Sequence, residues 1–121
     1  CSSGSLGNGL PIAVGMALAN RKKNVYCLIS DGECSEGSIW EALRIARENN
    51  LKNLKIYVNL NKWGAYKQIN TKRLENRLWE FFTTYAMRET NFEDFPFLKG
   101  QDAHYKVMNE EEYKQAMEIL K

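Results

Sequence analysis

The sequence is poor in the residues that build stapled or metal-knotted small domains. Its 121 residues include three cysteines, two prolines and one histidine. Cys1, Cys27 and Cys34 are odd in number and lack a C-x-x-C spacing, which argues against a disulfide framework or a zinc site. Cys27 falls in an apolar run and reads as a small buried hydrophobe, and nothing beside Cys34 marks it as a nucleophile. Such usage fits a reducing cytoplasm. No apolar run approaches the roughly 18–20 residues needed to cross a bilayer, and no signal-peptide pattern is present. Charge of one sign is also lacking. The net charge is +2, and the densest basic run, Arg21-Lys22-Lys23, reads as a solvated helix end. Neither nucleic acid nor an anionic membrane is expected as a partner. His104, isolated in the least patterned region, reads as a loop residue, since a catalytic base needs partners within reach.

What is present is ordinary globular composition, 44% hydrophobic and 26% charged, enough for one small domain with a core. Residues 1–9 are small and loop-like, with Asn8 placed to cap a helix over 10–20 that is apolar nearly all round and therefore expected to be buried. Val25 to Ile29 and Leu54 to Val58 read as buried parallel strands. Between them, Ser38 and Glu41 suggest a capping box for a helix that Asn49-Asn50 ends near residue 50. Leu74, Leu78, Phe81, Phe82 and Tyr85 recur at helical spacing over 72–88. Phe95-Pro96-Phe97-Leu98 suggests an edge strand. Asn109 with Glu112 opens a last helix whose inward face would be Tyr113, Ala116, Met117 and Leu120. Trp40, Trp63 and Trp79 read as packing groups. The expected fold is a three-layer α/β domain with a mainly parallel sheet, a single unit over residues 1–121 that reads as part of something larger.

Asp31 and Asn61 stand thirty residues apart, each just past the end of a predicted strand. In a strand–helix–strand unit both fall at the same end of neighbouring parallel strands, where open α/β sheets bind ligands. A carboxylate, an amide oxygen and a backbone carbonyl such as that of Trp63 would give a hard divalent cation three ligands, leaving room for a diphosphate. Gly32 would let phosphate oxygens approach backbone N–H groups at a helix N-terminus. Ser30-Asp31-Gly32 is also, by itself, a common chain reversal. Gly4-Ser5-Leu6-Gly7-Asn8-Gly9 is not a dinucleotide fingerprint, and reads either as a flexible loop or as backbone approaching a planar ligand. Glu33 and Glu36 are candidates for acid–base groups or for carboxylates stabilised by a helix dipole.

Three blocks in order, GSLGNGLPIAVGMALA, VYCLISDGECSEGSIWEAL and NLKIYVNLNKWG, resemble the N-terminal, diphosphate-binding domain of transketolases. They are especially similar to the separately encoded N-terminal subunits of split transketolases. The resemblance covers about residues 2–64. It implies that Asp31, Asn61 and the Trp63 carbonyl ligate magnesium or calcium. It also implies that Gly4, Leu6, Asp31, Gly32, Glu33 and Asn61 bind thiamine diphosphate, with Gly4 and Leu6 at the aminopyrimidine. Glu36 corresponds to a catalytic glutamate that communicates with the partner domain's activating carboxylate. The implied activity is two-carbon ketol transfer between sugars or sugar phosphates, in an oligomer completed by a pyrimidine-binding subunit. Ser30 replaces the usual first glycine of the signature, and the family's substrate-binding histidines are absent. A deoxyxylulose phosphate synthase or 2-oxo acid dehydrogenase component, or a non-catalytic fragment of the same fold, are the alternative readings.

Overall fold

The computed structural model describes residues 4–81 and 85–121, with the side chains of 85 and 102–104 outside the described set. Cys1, Phe82 and the side chains of Tyr85 and His104 therefore fall outside it. Three parallel strands, β1 (Val25–Ser30), β2 (Leu54–Leu60) and β3 (Tyr85–Glu89), lie in the order β1-β2-β3. Helices α1 (Gly9–Ala19), α2 (Gly37–Glu48), α3 (Thr71–Phe81) and α4 (Glu110–Ile119) accompany them. The α/β class with a parallel sheet is as expected.

Strand alternation sets the core. Cys27 pairs with Ile56 and Ile29 with Val58, and all four are buried on the face that meets the helices. Leu10, Ala13, Val14 and Ala17 of α1 and Ile39, Ala42, Leu43 and Ala46 of α2 complete that core. Tyr26, Leu28 and Tyr57 alternate to the opposite face and are exposed.

The C-terminus of α1 is held by a side chain that periodicity does not reveal. Asn53 Nδ2 donates to the carbonyls of Ala17, Asn20 and Lys23, each at 3.1 Å, while the Asn53 carbonyl accepts from Val25 N–H. One buried amide thus closes a helix end and starts a strand. Asn53→Ala should destabilise the chain by about 2 kcal/mol, the cost of leaving buried carbonyls unpaired, as measured by urea unfolding. An unchanged midpoint would show that water replaces the amide.

Several expected elements differ. Of the segment expected to be helical over 72–88, the described part up to Phe81 is helix, and Tyr85–Glu89 is instead β3, paired with Ile56 to Leu60. Helical spacing continued through a segment whose hydrogen bonds are taken by the open edge of β2, and long-range pairing overrides local pattern. The edge position being filled, Phe95 to Leu98 forms a turn, with Leu98 N–H donating to Phe95 O and the two phenyl rings edge-on at 6.2 Å. Ser38 does not cap α2: it lies inside the helix and donates to Gly7 O. Nor does the Asn8 side chain cap α1. The α1 helix is buried on one stripe only, leaving Ile12, Met16 and Leu18 exposed. The capping box of Asn109 and Glu112 is present, but of α4's predicted inward face only Ala116 is buried. Trp40 is half-buried and packs on Phe81 at 5.6 Å, whereas Trp79 is exposed.

Candidate functional site

Parallel pairing carries the carboxyl ends of β1 and β2 to one edge, with Ser30 opposite Asn59. The chain then turns at Asp31 and again at Asn61. Asp31 is 1% exposed. Its Oδ1 accepts Gly32 N–H (2.9 Å) and its Oδ2 accepts Lys62 N–H (2.6 Å), so the carboxylate ties the two strand ends together. Asn61 Oδ1 accepts Trp63 N–H at 2.9 Å, an Asx turn that sets the next three residues. Lys62 takes a left-handed backbone (φ 67°), and its ammonium pairs with Glu89 at 2.5 Å. A short antiparallel bridge between Trp63 and Gln68 closes the loop.

Gly32 is where the two turns touch. A Cβ there would stand 3.2 Å from Gly64 Cα and 3.3 Å from the Trp63 carbonyl oxygen. The structure therefore brings Asp31, Gly32, Asn61 and Trp63 into one cluster. Ser30, in place of a glycine, leaves the turn intact. Its backbone is not left-handed, and its Oγ accepts Glu33 N–H at 3.2 Å.

The glycine-rich loop joins the cluster through Glu33. Gly7 N–H donates to Glu33 Oε1 (3.2 Å) and Ser30 N–H donates to Oε2 (3.1 Å). Both carboxylate oxygens thus clamp the loop to the Asp-Gly turn. Glu36 is exposed at the start of α2, its Cβ against Gly7. Gly4 and Leu6 remain exposed on the loop, and no described neighbour lies within 4 Å of where a Gly4 Cβ would be. Residue patterns gave no sign of the parts played by Lys62 N–H, the Ser30 hydroxyl or the Ser38 hydroxyl. These depend on contacts between segments remote in sequence.

Burial pushes the Asp31 carboxyl above the usual carboxylate range, opposed by the backbone N–H groups aimed at it. Among the described residues no cation pairs with it. A divalent ion would relieve this uncompensated buried charge, and the oxygens nearby, from Asn61 and the Trp63 carbonyl, are of the hard type that magnesium or calcium takes. The residues fit such an ion. Among the described residues no three or more His, Cys, Asp or Glu are arranged to hold a metal ion by themselves, so a cation here would depend on amide and carbonyl oxygens as well. Cys34 is buried, its thiol donates to Ser30 O, and burial with the charges of Asp31 and Glu33 pushes it up to about 12. It is a thiol, not a nucleophile, at neutral pH. Beyond the carboxyl ends of β2 and β3, Lys62, Glu89, Thr90 and Phe92 border a cavity of about 440 Å³.

Sequence relatives are named as transketolases. The chain is 44% identical over 68 residues to a transketolase of Pongo abelii, covering 52% of this chain and 11% of that protein. It is 41% identical over 88 residues to one of the subunits of an apulose-4-phosphate transketolase of Actinobacillus succinogenes, covering 67% of this chain and 32% of the relative. A putative uncharacterized transketolase family protein of Sinorhizobium fredii is 50% identical over 68 residues, covering 53% and 24%. The chain therefore matches between about a tenth and a third of the length of these relatives. A family model described as the C-terminal TPP binding domain of thiamine pyrophosphate enzymes matches residues 2–121. This corrects the expectation of an N-terminal transketolase domain or N-terminal split subunit. The spacing of Asp31 and Asn61 reports a local strand–turn–strand geometry, and the place of that unit in a longer polypeptide is not encoded in it. The match extends over nearly the whole chain, and the protein belongs to the thiamine pyrophosphate enzyme family, as a C-terminal TPP binding domain.

Proposed function

We propose that residues 1–121 act as one domain holding the diphosphate and metal of thiamine diphosphate in a transketolase-like enzyme of the cytoplasm. The observation that carries this reading is the 2.6 Å bond from Lys62 N–H to the buried Asp31 carboxylate, which fixes Asp31 against the Asn61–Gly64 turn. Asp31, Asn61 and the Trp63 carbonyl would hold magnesium or calcium. Gly32 would admit the diphosphate to the backbone, with Glu33 keeping the Gly4–Gly9 loop and its Leu6 in place. Bound thiamine diphosphate supplies the electron-sink chemistry for transfer of a two-carbon ketol unit between sugars or sugar phosphates. This chain's residues bind and orient. A pyrimidine-binding partner, in an oligomer, would supply the activating carboxylate, with Glu36 reaching toward it from the start of α2.

Calorimetry of the full chain with thiamine diphosphate should show saturable binding in magnesium that disappears with a chelator and returns with calcium. Equal heats with and without the metal would sink the metal-bridged reading. The chain alone should show no ketol transfer, and turnover without a partner would overturn the claim that activation comes from elsewhere.

A further inference from the structure

A second cavity, of about 260 Å³, lies between the start of α2 and the first turns of α3. Of the residues assigned above to the cofactor, only Asp31 borders it. Trp40 and Leu74 make an apolar wall, and Arg73 and Arg77 stand at its mouth. Four residues apart on α3, the two arginines share a helix face with Cβ atoms about 6 Å apart. On the same helix Lys72 pairs with Glu75. Among the described residues neither the Arg73 nor the Arg77 guanidinium has an acidic partner. Asn70 Oδ1 accepts Arg73 N–H at 3.0 Å, which leaves its Nδ2 free to donate beside the guanidiniums. Trp40 Nε1 is already bonded to Cys34 O, so the indole offers its apolar surface. The single acid bordering the cavity, Asp31, has both carboxylate oxygens turned to backbone N–H groups.

We propose that this cleft is a phosphomonoester site, distinct from the diphosphate site, with the phosphate between Arg73 and Arg77 and the carbon skeleton against Trp40 and Leu74. Two guanidiniums from successive turns can each take different oxygens of a tetrahedral dianion, whereas a carboxylate is satisfied by one. The lining supplies two positive charges against one buried negative charge. The apolar wall favours an esterified phosphate over the free ion.

The test uses the full ¹⁵N-labelled chain, without metal or thiamine diphosphate, titrated with inorganic phosphate, glycerol phosphate and glycerol. Saturable shifts should centre on Asn70, the Arg73 and Arg77 side chains and the Trp40 indole. Glycerol phosphate should bind more tightly than phosphate, and glycerol should give no shifts. Arg73→Gln with Arg77→Gln should weaken glycerol phosphate at least tenfold while the thermal midpoint holds, since both side chains are exposed. Arg73→Lys with Arg77→Lys should retain part of the affinity that the glutamine pair loses. Shifts that fail to saturate, or unchanged affinity in the double glutamine variant, would overturn the proposal. So would shifts centred on Gly32 and Asn61, which would place the anion in the cofactor's own site. Equal affinity for phosphate and its ester would remove the ester claim. An equal loss of thiamine diphosphate binding in the double variant would make the cleft part of the cofactor site.

Discussion

Asp31→Ala should abolish metal-dependent binding of thiamine diphosphate, a loss of at least about a hundredfold, because even outer-shell partners of bound metals are worth about 10–100-fold. The same substitution should lower stability without any ligand. Asp31 accepts Lys62 N–H at 2.6 Å and Gly32 N–H at 2.9 Å, and truncation leaves both amides without an acceptor in a buried place. Each such orphan costs about 1–3 kcal/mol, so the metal-free chain should lose about 2 kcal/mol or more. The two effects separate by design. Asp31→Asn keeps one oxygen but sets an N–H group against one of those backbone donors, so it should lose binding and part of the stability. If Asp31→Ala binds the cofactor with wild-type affinity in magnesium, the carboxylate is a structural tie alone and the cation lies elsewhere. Calorimetry and urea unfolding on the same preparations decide between these outcomes.

The two-sided role of Asp31 explains how much of the site could be read from sequence. A short apolar strand ending in Asp-Gly, and another ending in asparagine, are local signals. Parallel pairing of β1 with β2 then follows from the helix between them, and with it the meeting of Asp31 and Asn61. The rest was hidden for a common reason. The contact from Lys62 depends on a left-handed lysine that no propensity favours, and the Glu33 clamp depends on a glycine twenty-six residues away. β3 was hidden because its sequence continues the helical spacing of α3, and only the open edge of β2 distinguishes strand from helix. Burial failed in the same way. The α1 sequence is apolar all round, yet which stripe is covered depends on what lies beside it. In α4 the spacing of Tyr113, Met117 and Leu120 defines a face without saying what covers it. Ser30 is the converse case: it departs from the family signature, yet its hydroxyl accepts Glu33 N–H and braces the turn.

Gly7→Ala should lower stability by about 3 kcal/mol, combining the cost of a left-handed backbone with that of overpacking. Gly7 has φ 81°, and a Cβ there would stand 2.6 Å from Ser38 Oγ and 2.8 Å from Glu36 Cβ. The Ser38 hydroxyl cannot simply turn away, because it donates to the Gly7 carbonyl. Glu36 Cβ belongs to the residue at the start of α2 and moves only with the helix. The loop must therefore lift from α2, and the bond from Gly7 N–H to Glu33 breaks with it. Glu33 also holds Ser30 N–H, so the disturbance reaches the Asp31 turn, and cofactor affinity should fall along with stability. Adding Ser38→Ala removes the nearer clash but neither the Glu36 contact nor the backbone strain. The double variant should recover part of the loss, giving a non-additive cycle of about 1 kcal/mol. Full additivity would show that the Ser38 clash adds nothing, leaving the Glu36 contact and the backbone conformation as the reasons for Gly7. A wild-type melting curve for Gly7→Ala would mean that the loop is free of α2, and the coupling of the glycine loop to the Asp31 turn through Glu33 would fall with it.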